Sequence, residues 1–222
     1  MLEEEAKKRG IDIDKLKREQ IKLAKQVSKS DYMDFSALQS VAGIAEIINE
    51  KTKEIVVGMV VLNADNLETI EAKWHKEKLK FPYIPGYRAY RELNALVACF
   101  EKLENRPDVF FIKAHGTSHP RQFGLACHFG IATDSCVIGI ADEPLKNFTV
   151  EGDNIKINEK IVGKYIKLVD FAKPIVISIG NKISLKSAIE LAKKFSLGKY
   201  KHPYPLVAAT KFVRKIAKEI GF

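Results

Sequence analysis

The order of apolar and polar positions along the chain predicts strands and helices in alternation. Apolar residues one helical turn apart predict an N-terminal helix over about 13–28, whose inward positions are Ile13, Leu16, Gln20, Leu23 and Val27. Two apolar runs, 40–48 and 55–63, are joined by a short polar stretch, which is typical of a hairpin. Alternation over 70–74 predicts a third strand with one face toward water.

The rest of the chain continues this alternation. A helical pattern runs over 89–105 and is closed by Pro107. The pattern then predicts strands at 109–112, 136–140 and 174–179, a helix at 121–133, a polar hairpin at 150–158 and 161–169, and helices at 184–195 and 206–220. Three antiparallel strands followed by helix, strand, helix and strand is the order of an α/β fold with a ribonuclease H-like mixed sheet, in which the later strands run parallel and helices flank the sheet.

Length and composition limit the classes of protein. The 222 residues show no repeat or linker, so we expect one domain over 1–222, with its core at about 38–180 and C-terminal helices at about 184–220. Lys and Arg exceed Asp and Glu by 37 to 28, a formal charge of +9, which suits a polyanionic partner without proving one. Three cysteines without CxxC spacing indicate thiols in a reducing cytosol rather than a disulfide frame or zinc site. With no apolar run of membrane length, a cytoplasmic location is expected.

Three motifs point to a known family. They are VAGI at 41–44, FPYIPGYRAYRE at 81–92 and PDVFFIKAHGTSHPRQFGLACHFG at 107–130. Over about 16–215 the chain resembles endonuclease V, a family of nucleic-acid repair and metabolism that nicks nucleic acid beside hypoxanthine, the deaminated form of adenine. The resemblance implies DNA or RNA as the partner, possibly containing inosine, a wedge formed by PYIP, and a glycine-lined pocket for a base flipped out of the stack.

The physical chemistry of the PYIPG segment agrees with a wedge. Pro82 and Pro85 fix the backbone and stiffen the loop, so Tyr83 and Ile84 are presented to stack beside bases or to intrude between them, and Gly86 ends the turn. The alternative is a rigid turn whose tyrosine caps the core.

The second motif contains candidate base-binding residues. Gly116 and Gly124 permit the close backbone approach that a base pocket requires, although glycines of this kind also serve turns and helix packing. His115, His119 and Arg121 can donate hydrogen bonds to phosphates or base edges, whereas the alternative for each is a structural role.

Other polar residues near these motifs allow two interpretations. Arg88 and Arg91 flank Glu92 and are candidates for phosphate contacts, or for ion pairs at the surface. His128 lies among apolar residues, and we expect it to be a hydrogen-bonded core group.

The departures from the family concern its catalytic acids. The resemblance implies three acids that hold hard divalent cations: one in the first strand, one in the arginine-glutamate helix and one at the end of the fourth strand. Glu92 retains the second, but Ala45 and Lys113 stand at the other two positions. Glu46 follows Ala45, and because neighbouring side chains of a strand point to opposite faces, we expect it to replace the lost acid only through a bulge.

A compensating change follows the fifth strand. Asp142 stands where the family has a lysine near the reaction centre, so a lysine and an acid have changed places between two neighbouring strand ends. We expect a buried Lys113–Asp142 ion pair, with the Lys113 ammonium in the place of a metal ion. Asn181 and Thr210 stand where the family has histidines, and His202 would substitute only after a shift of the chain.

Three functions remain open from sequence. The first is a relative of endonuclease V that binds deaminated or single-stranded nucleic acid with cleavage lost or impaired, and it needs no cofactor. The second is an active nuclease with Mg²⁺ in a site rebuilt from Glu92 and Asp142, with Glu46 as a further candidate. Lys113 is the third catalytic candidate, and outside this alternative no residue is assigned to a metal. The third is a scaffold, which an exposed apolar patch on Tyr87 and Tyr90 would favour.

Overall fold

A computed structural model describes residues 6, 9–146 and 148–222. In these residues the strands are β1 (Ser40–Asn49), β2 (Glu54–Asn63), β3 (Thr69–Lys78), β4 (Val109–Ile112), β5 (Val137–Ala141), β6 (Thr149–Glu151), β7 (Asn154–Ile157), β8 (Lys160–Ile166) and β9 (Ile175–Asn181). They form one sheet in the order β3-β2-β1-β4-β5-β9-β8-β7-β6. The helices are α1 (Ile13–Ala24), α2 (Arg88–Phe100), α3 (Leu125–Ala132), α4 (Leu185–Lys194) and α5 (Tyr204–Glu219).

The centre of the sheet confirms the predicted α/β fold. Strand β1 pairs antiparallel with β2 and parallel with β4, and β4 pairs parallel with β5. Strand β9 then returns antiparallel to β5. The carboxyl ends of β1, β4 and β5 therefore meet at one edge of the sheet, which is the edge where open α/β sheets place ligands.

Alternation along β1 assigns its side chains to two cores. Val41 and Ala45 belong to the core that includes residues of α4 and α5, whereas Ala42 and Ile44 belong to the core that includes residues of α2 and α3. Because the strand alternates without interruption, Glu46 follows the second set and faces α2.

Several predicted boundaries are wrong for identifiable reasons. The predicted hairpin over 150–169 is a meander of three strands, since one turn with Gly152 at φ +56° and another at Asn158 and Glu159 divide it. The helix predicted at 121–133 begins at Leu125, because the preceding residues form tight turns. The helices predicted to reach 105 and 28 end at Phe100 and Ala24. None of the helices in the described part of the chain combines the length and apolar character needed to cross a bilayer.

Candidate functional site

The PYIPG loop presents one of its two central side chains. Tyr83 is 58% exposed, whereas Ile84 is 7% exposed and packs in a small apolar cluster with Tyr87. The expectation that both are presented is therefore met by Tyr83 alone, because Ile84 anchors the loop. Gly86 has φ +80°, a backbone conformation that favours glycine, and a Cβ there would lie 2.8 Å from a nitrogen of Arg121, which would have to move.

The carbonyl of Gly86 is the point at which this loop is fixed. It accepts hydrogen bonds from Arg121 Nη2 at 2.6 Å, His119 Nε2 at 3.1 Å and Gln20 Nε2 at 3.2 Å. Arg121 also donates to Gln20 Oε1, and its guanidinium lies 4.4 Å from the ring centroid of Tyr87. Burial and the neighbouring guanidinium lower the pKa of His119 to about 3, so its ring is neutral with the proton on Nε2. His119 and Arg121, the two candidates for nucleic-acid contacts, therefore hydrogen-bond to the loop in this structure.

A cavity of about 270 Å³ lies beside Tyr83. Its walls come from α1, the PYIPG loop, α2, the segment after β4 and the segment after β5; they are Gln20, Tyr83, Gly86, Arg88, Ala89, Ala114, His115, His119, Gly124, Leu125 and Leu145. Gly116 is not among them: a Cβ there would lie 2.0 Å from the carbonyl oxygen of Ile179, so this glycine serves packing against β9. A Cβ on Gly124 would lie 2.2 Å from the carbonyl oxygen of His115, so no side chain fits at this position of the wall.

The polar groups on the cavity wall are mostly neutral. His115 Nδ1 and Ser118 Oγ are 2.9 Å apart, and burial lowers the pKa of His115 to about 4. Alanine and leucine side chains supply apolar surface, and Arg88 is a charged residue of the wall. A mainly apolar cavity with a few neutral hydrogen-bonding groups suits a flat heteroaromatic ring better than a charged ligand.

Arg88 joins the carboxylates at the strand-end edge. Its Nε donates to Glu92 Oε2 at 2.7 Å, its Nη2 donates to Glu46 Oε1, and its Nη1 donates to the carbonyl of Lys113 at 3.1 Å. The β1–β2 register is regular through Glu46, so β1 has no bulge here, and Glu46 points to the opposite face from Ala45, as strand alternation predicts. Its face of β1 is the one covered by α2, whereas Ala45 is buried on the opposite face.

The two carboxylates share this one guanidinium. Glu92 is 2% exposed, and burial, with the nearby charge of Glu46, raises its pKa to about 7 against the opposing effect of Arg88. The second oxygen of Glu46, Oε2, is buried and has no hydrogen-bond partner. One negative charge is left uncompensated when both groups are ionised.

These residues do not fit the divalent cations that the family resemblance implies. A Mg²⁺ site needs oxygen ligands that converge on the metal, but Arg88 already occupies the contact between Glu46 and Glu92. Lys113 stands at the third acid position. Within the described ranges, no three His, Cys, Asp or Glu side chains lie close enough together to hold a metal.

The predicted pair at the ends of β4 and β5 is present. Lys113 Nζ lies 3.1 Å from Asp142 Oδ2, but the two side chains are 47% and 42% exposed, so the expectation of a buried pair is wrong. The strand ends open to solvent here. Lys201 Nζ and His202 Nε2 also contact Asp142 Oδ1, at 2.7 and 2.9 Å. The cation between the carboxylates is therefore Arg88, while the Lys113 ammonium pairs with Asp142.

The remaining polar residues have structural contacts. Arg91 is buried and pairs with Glu50 at 2.8 Å, as the ion-pair alternative expected. Asn181 donates through Nδ2 to the carbonyls of Gly130 and Ser135, at 3.1 and 3.2 Å. His128 is buried as expected, but its Nε2 has no partner, because its surroundings are aromatic rings.

Sequence reasoning did not assign three features of this edge, which are the Arg88–Glu92 pair, the cations that meet Asp142 and the face to which Glu46 points. The i,i+4 spacing of Arg88 and Glu92 is a signal for their ion pair, since residues four apart share one helix face. The basic segment KYKHP at 199–203 is a weaker signal for the cations that meet Asp142. Nothing in the local sequence indicates that Glu46 faces α2.

Comparison with protein families shows which family the chain matches. The family model for Endonuclease V matches residues 21–211. The Endonuclease V of Thermosipho melanesiensis is 37% identical over 177 residues, covering 76% of this chain and 77% of that protein. That of Dictyoglomus thermophilum is 32% identical over 207 residues, covering 89% of each.

Solved structures agree with this match. The crystal structure of Endonuclease V from Bacillus subtilis has a TM-score of 0.83 at 26% identity, covering 91% of this chain and 90% of that one. Endonuclease V from Ciona intestinalis, in complex with a 24mer DNA containing an inosine followed by a ribo-adenosine, has a TM-score of 0.85 at 25% identity. The second comparison covers 94% of this chain and 98% of that one.

Proposed function

The chain belongs to the endonuclease V family, and we propose that it binds DNA or RNA containing hypoxanthine without a metal, with strand cleavage lost or impaired. The position of Arg88 between Glu46 and Glu92 is the observation on which the loss of cleavage rests. A guanidinium in this place occupies the carboxylate oxygens that a hard cation would need as ligands.

The surroundings of Tyr83 support the binding half of the proposal. This exposed residue lines the mainly apolar cavity, which would take the flipped base. Tyr83 also lines a cleft of about 220 Å³ whose walls include four basic residues and one acid, namely Arg9, Lys53, Lys80, Arg91 and Glu50. A stacking residue that lines both a base cavity and a mostly basic cleft is the arrangement expected for a nucleic-acid strand that passes over the loop. The DNA complex of the Ciona intestinalis relative favours the same class of partner.

A combined binding and nicking assay tests the proposal. Single-stranded and duplex DNA and RNA, each with one inosine or with adenosine in its place, are incubated with Mg²⁺, Mn²⁺ or EDTA. We expect tighter binding of the inosine strands in all three conditions and no scission. Scission that requires metal and disappears in Glu92→Gln would overturn the proposed loss of cleavage, and equal affinity for both strands would overturn the preference for hypoxanthine.

A second candidate is an active, metal-dependent nuclease with a rearranged site. The buried, unpaired Oε2 of Glu46 favours it, because an unsatisfied carboxylate oxygen next to Glu92 is a potential ligand. This function requires Arg88 to leave the carboxylates. Asp142, the other acid of this hypothesis, is surrounded by three basic side chains. In that case isothermal calorimetry would detect stoichiometric Mn²⁺ binding that Glu46→Gln abolishes.

The scaffold alternative has less support. The apolar patch that would favour it was expected on Tyr87 and Tyr90. Tyr87 is only 7% exposed and lies under the guanidinium of Arg121, while Tyr90 is partly buried against His128. The tyrosines of α2 and its preceding turn therefore serve the interior.

A further inference from the structure

Asp142 is the centre of a basic cluster formed by Lys113, Lys201 and His202. Their nitrogens lie 3.1, 2.7 and 2.9 Å from its two carboxylate oxygens. Although burial opposes it, hydrogen bonds from Lys201 and Lys113 hold the pKa of Asp142 well below its usual range. Burial lowers the pKa of His202, so at neutral pH the cluster contains two ammonium cations and one carboxylate. It retains a net positive charge.

The cluster adjoins the cavity. Lys113 immediately precedes Ala114, and Leu145 follows Asp142 by three residues; both Ala114 and Leu145 are wall residues of the cavity. Arg88, a third wall residue, donates to the carbonyl of Lys113. A nucleotide whose base enters the cavity would therefore have its backbone near these two strand ends.

The geometry of the donors suits a phosphate. Three N–H donors converge on an oxyanion, and phosphate oxygens accept charge-assisted hydrogen bonds from the same groups. Each ammonium has three donors, and the contacts described above use one on Asp142. Lys113 and Asp142 are about half-exposed, so a ligand reaches them without opening the core. A carboxylate at the centre offsets the repulsion between the two ammonium groups and holds both near one point.

We infer that Lys113, Lys201 and His202 form a binding site for a backbone phosphate of the nucleotide whose base occupies the cavity, with Asp142 as an internal anion that weakens the site. The inference rests on the proposed function and deepens it, since it assigns the phosphate contact that a metal would otherwise make. The competing explanation is a surface ion-pair group that only ties strand ends together.

Phosphate neutralisation tests the site directly. Single-stranded DNA with one deoxyinosine is prepared with one neutral methylphosphonate at each position in turn, and binding is measured in EDTA over a range of salt. For the wild type, we expect one or two positions next to the inosine to weaken binding. In the Lys113→Ala/Lys201→Ala double variant, a methylphosphonate at the same positions should weaken binding no further. The slope of log affinity against log salt should become shallower by about 0.7 for each lost contact.

The matched control is Lys186→Ala, which removes an exposed lysine of α4 that is not part of the cluster. It should leave the dependence of affinity on methylphosphonate position unchanged. Asp142→Asn separates the two explanations further: a weakened phosphate site predicts tighter binding and a steeper salt slope, whereas a strand-end tie predicts unchanged or weaker binding. Thermal melting of each variant verifies folding.

The outcomes distinguish this inference from the proposed function. If the wild type binds inosine strands but the double variant keeps its salt slope and positional profile, the phosphate site is wrong and the proposed function stands. If the wild type binds inosine and adenosine strands equally, yet the double variant loses the positional effect, the phosphate site stands and the hypoxanthine preference fails. If the wild type binds no nucleic acid, both are overturned.

Discussion

Arg88 and Glu92 lie one turn apart on α2, and Nε of the arginine donates to Oε2 of the glutamate over 2.7 Å. The same guanidinium reaches Glu46 on β1 and the carbonyl of Lys113 at the end of β4. Arg88 therefore contacts Glu92, the surviving acid of the family pattern. It also contacts Glu46, which follows the first lost acid position, and Lys113, which stands at the second. The cation of this site is part of the chain.

Removal of this cation should destabilise the fold in a pH-dependent way. Arg88→Leu leaves Glu46 and Glu92 without their counter-charge, and we expect the free energy of unfolding to fall by about 3 kcal/mol at pH 8. The loss should be smaller at pH 5.5, because protonation of Glu92 removes one of the two charges. Urea unfolding at both pH values measures it.

The control for this variant is Lys53→Ala, which breaks an exposed pair with Glu50 and should cost no more than about 0.5 kcal/mol at either pH. An Arg88→Leu loss as small as that of the control, or one that does not change with pH, would show that the guanidinium does not stabilise the two carboxylates.

Glu92→Gln isolates the titration of the buried glutamate. The pKa of Glu92 is raised to about 7 in the folded protein against 4.5 in the unfolded chain, so between these values the folded state binds more protons. Stability contributed by that proton increases as the pH falls from 7.5 to 5.5. Relative to Glu92→Gln, the wild type should gain about 2 kcal/mol over this range. Urea unfolding at the two pH values measures the gain.

Glu50→Gln is the control, because the pKa of Glu50 is lowered rather than raised. A hydrogen bond from Arg91 lowers the pKa of Glu50, so this group is ionised in both states over the same range. The difference between wild type and Glu50→Gln should then be constant from pH 7.5 to 5.5. A constant difference for Glu92→Gln as well would contradict the raised pKa.

Local pattern was sufficient to predict the central strands and the order of the fold. Apolar runs bounded by polar turns define β1, β2 and β4 because their side chains are buried on both faces. The meander after β5 was predicted less well, since its strands are short and the turn at Gly152 lies inside a stretch that was predicted as one strand.

The candidate site shows where pattern stops being informative. The pairing of Lys113 with Asp142 was predicted from the family resemblance, in which a lysine and an acid change places between two neighbouring strand ends. The orientation of Glu46 was not, because alternation states that neighbours face opposite ways but not which face a helix covers. Lys201 and His202 are about sixty residues from Asp142 along the chain, and only the path of the segment before α5 brings them to it.

Arg121→Ala distinguishes a loop support from a phosphate ligand. The substitution removes two of the hydrogen bonds that fix the PYIPG loop, those to Gly86 and Gln20. We expect weaker binding of inosine strands through a misplaced Tyr83, with the salt slope unchanged. A slope shallower by about 0.7 on single-stranded DNA would instead indicate a lost phosphate contact. Gel-shift titrations at several salt concentrations measure both quantities.

Tyr83→Ala should separate binding from folding. The ring is mostly exposed, so its removal should change the free energy of unfolding by less than about 0.5 kcal/mol. Loss of one stacked base should weaken nucleic-acid binding by about 1–3 kcal/mol, and Tyr83→Phe should retain most of the affinity because the ring remains.

Ile84→Ala reverses these effects, because Ile84 is buried in the cluster that anchors the loop. This variant should lose about 2–4 kcal/mol of folding stability. In the folded fraction the hydrogen bonds to the Gly86 carbonyl still hold the loop, so bound strands still stack on Tyr83. Fluorescence anisotropy with inosine strands and urea unfolding, measured on the same preparations, give the two quantities. Full affinity in Tyr83→Ala would show that the ring only caps the core, which is the rigid-turn alternative for the PYIPG segment.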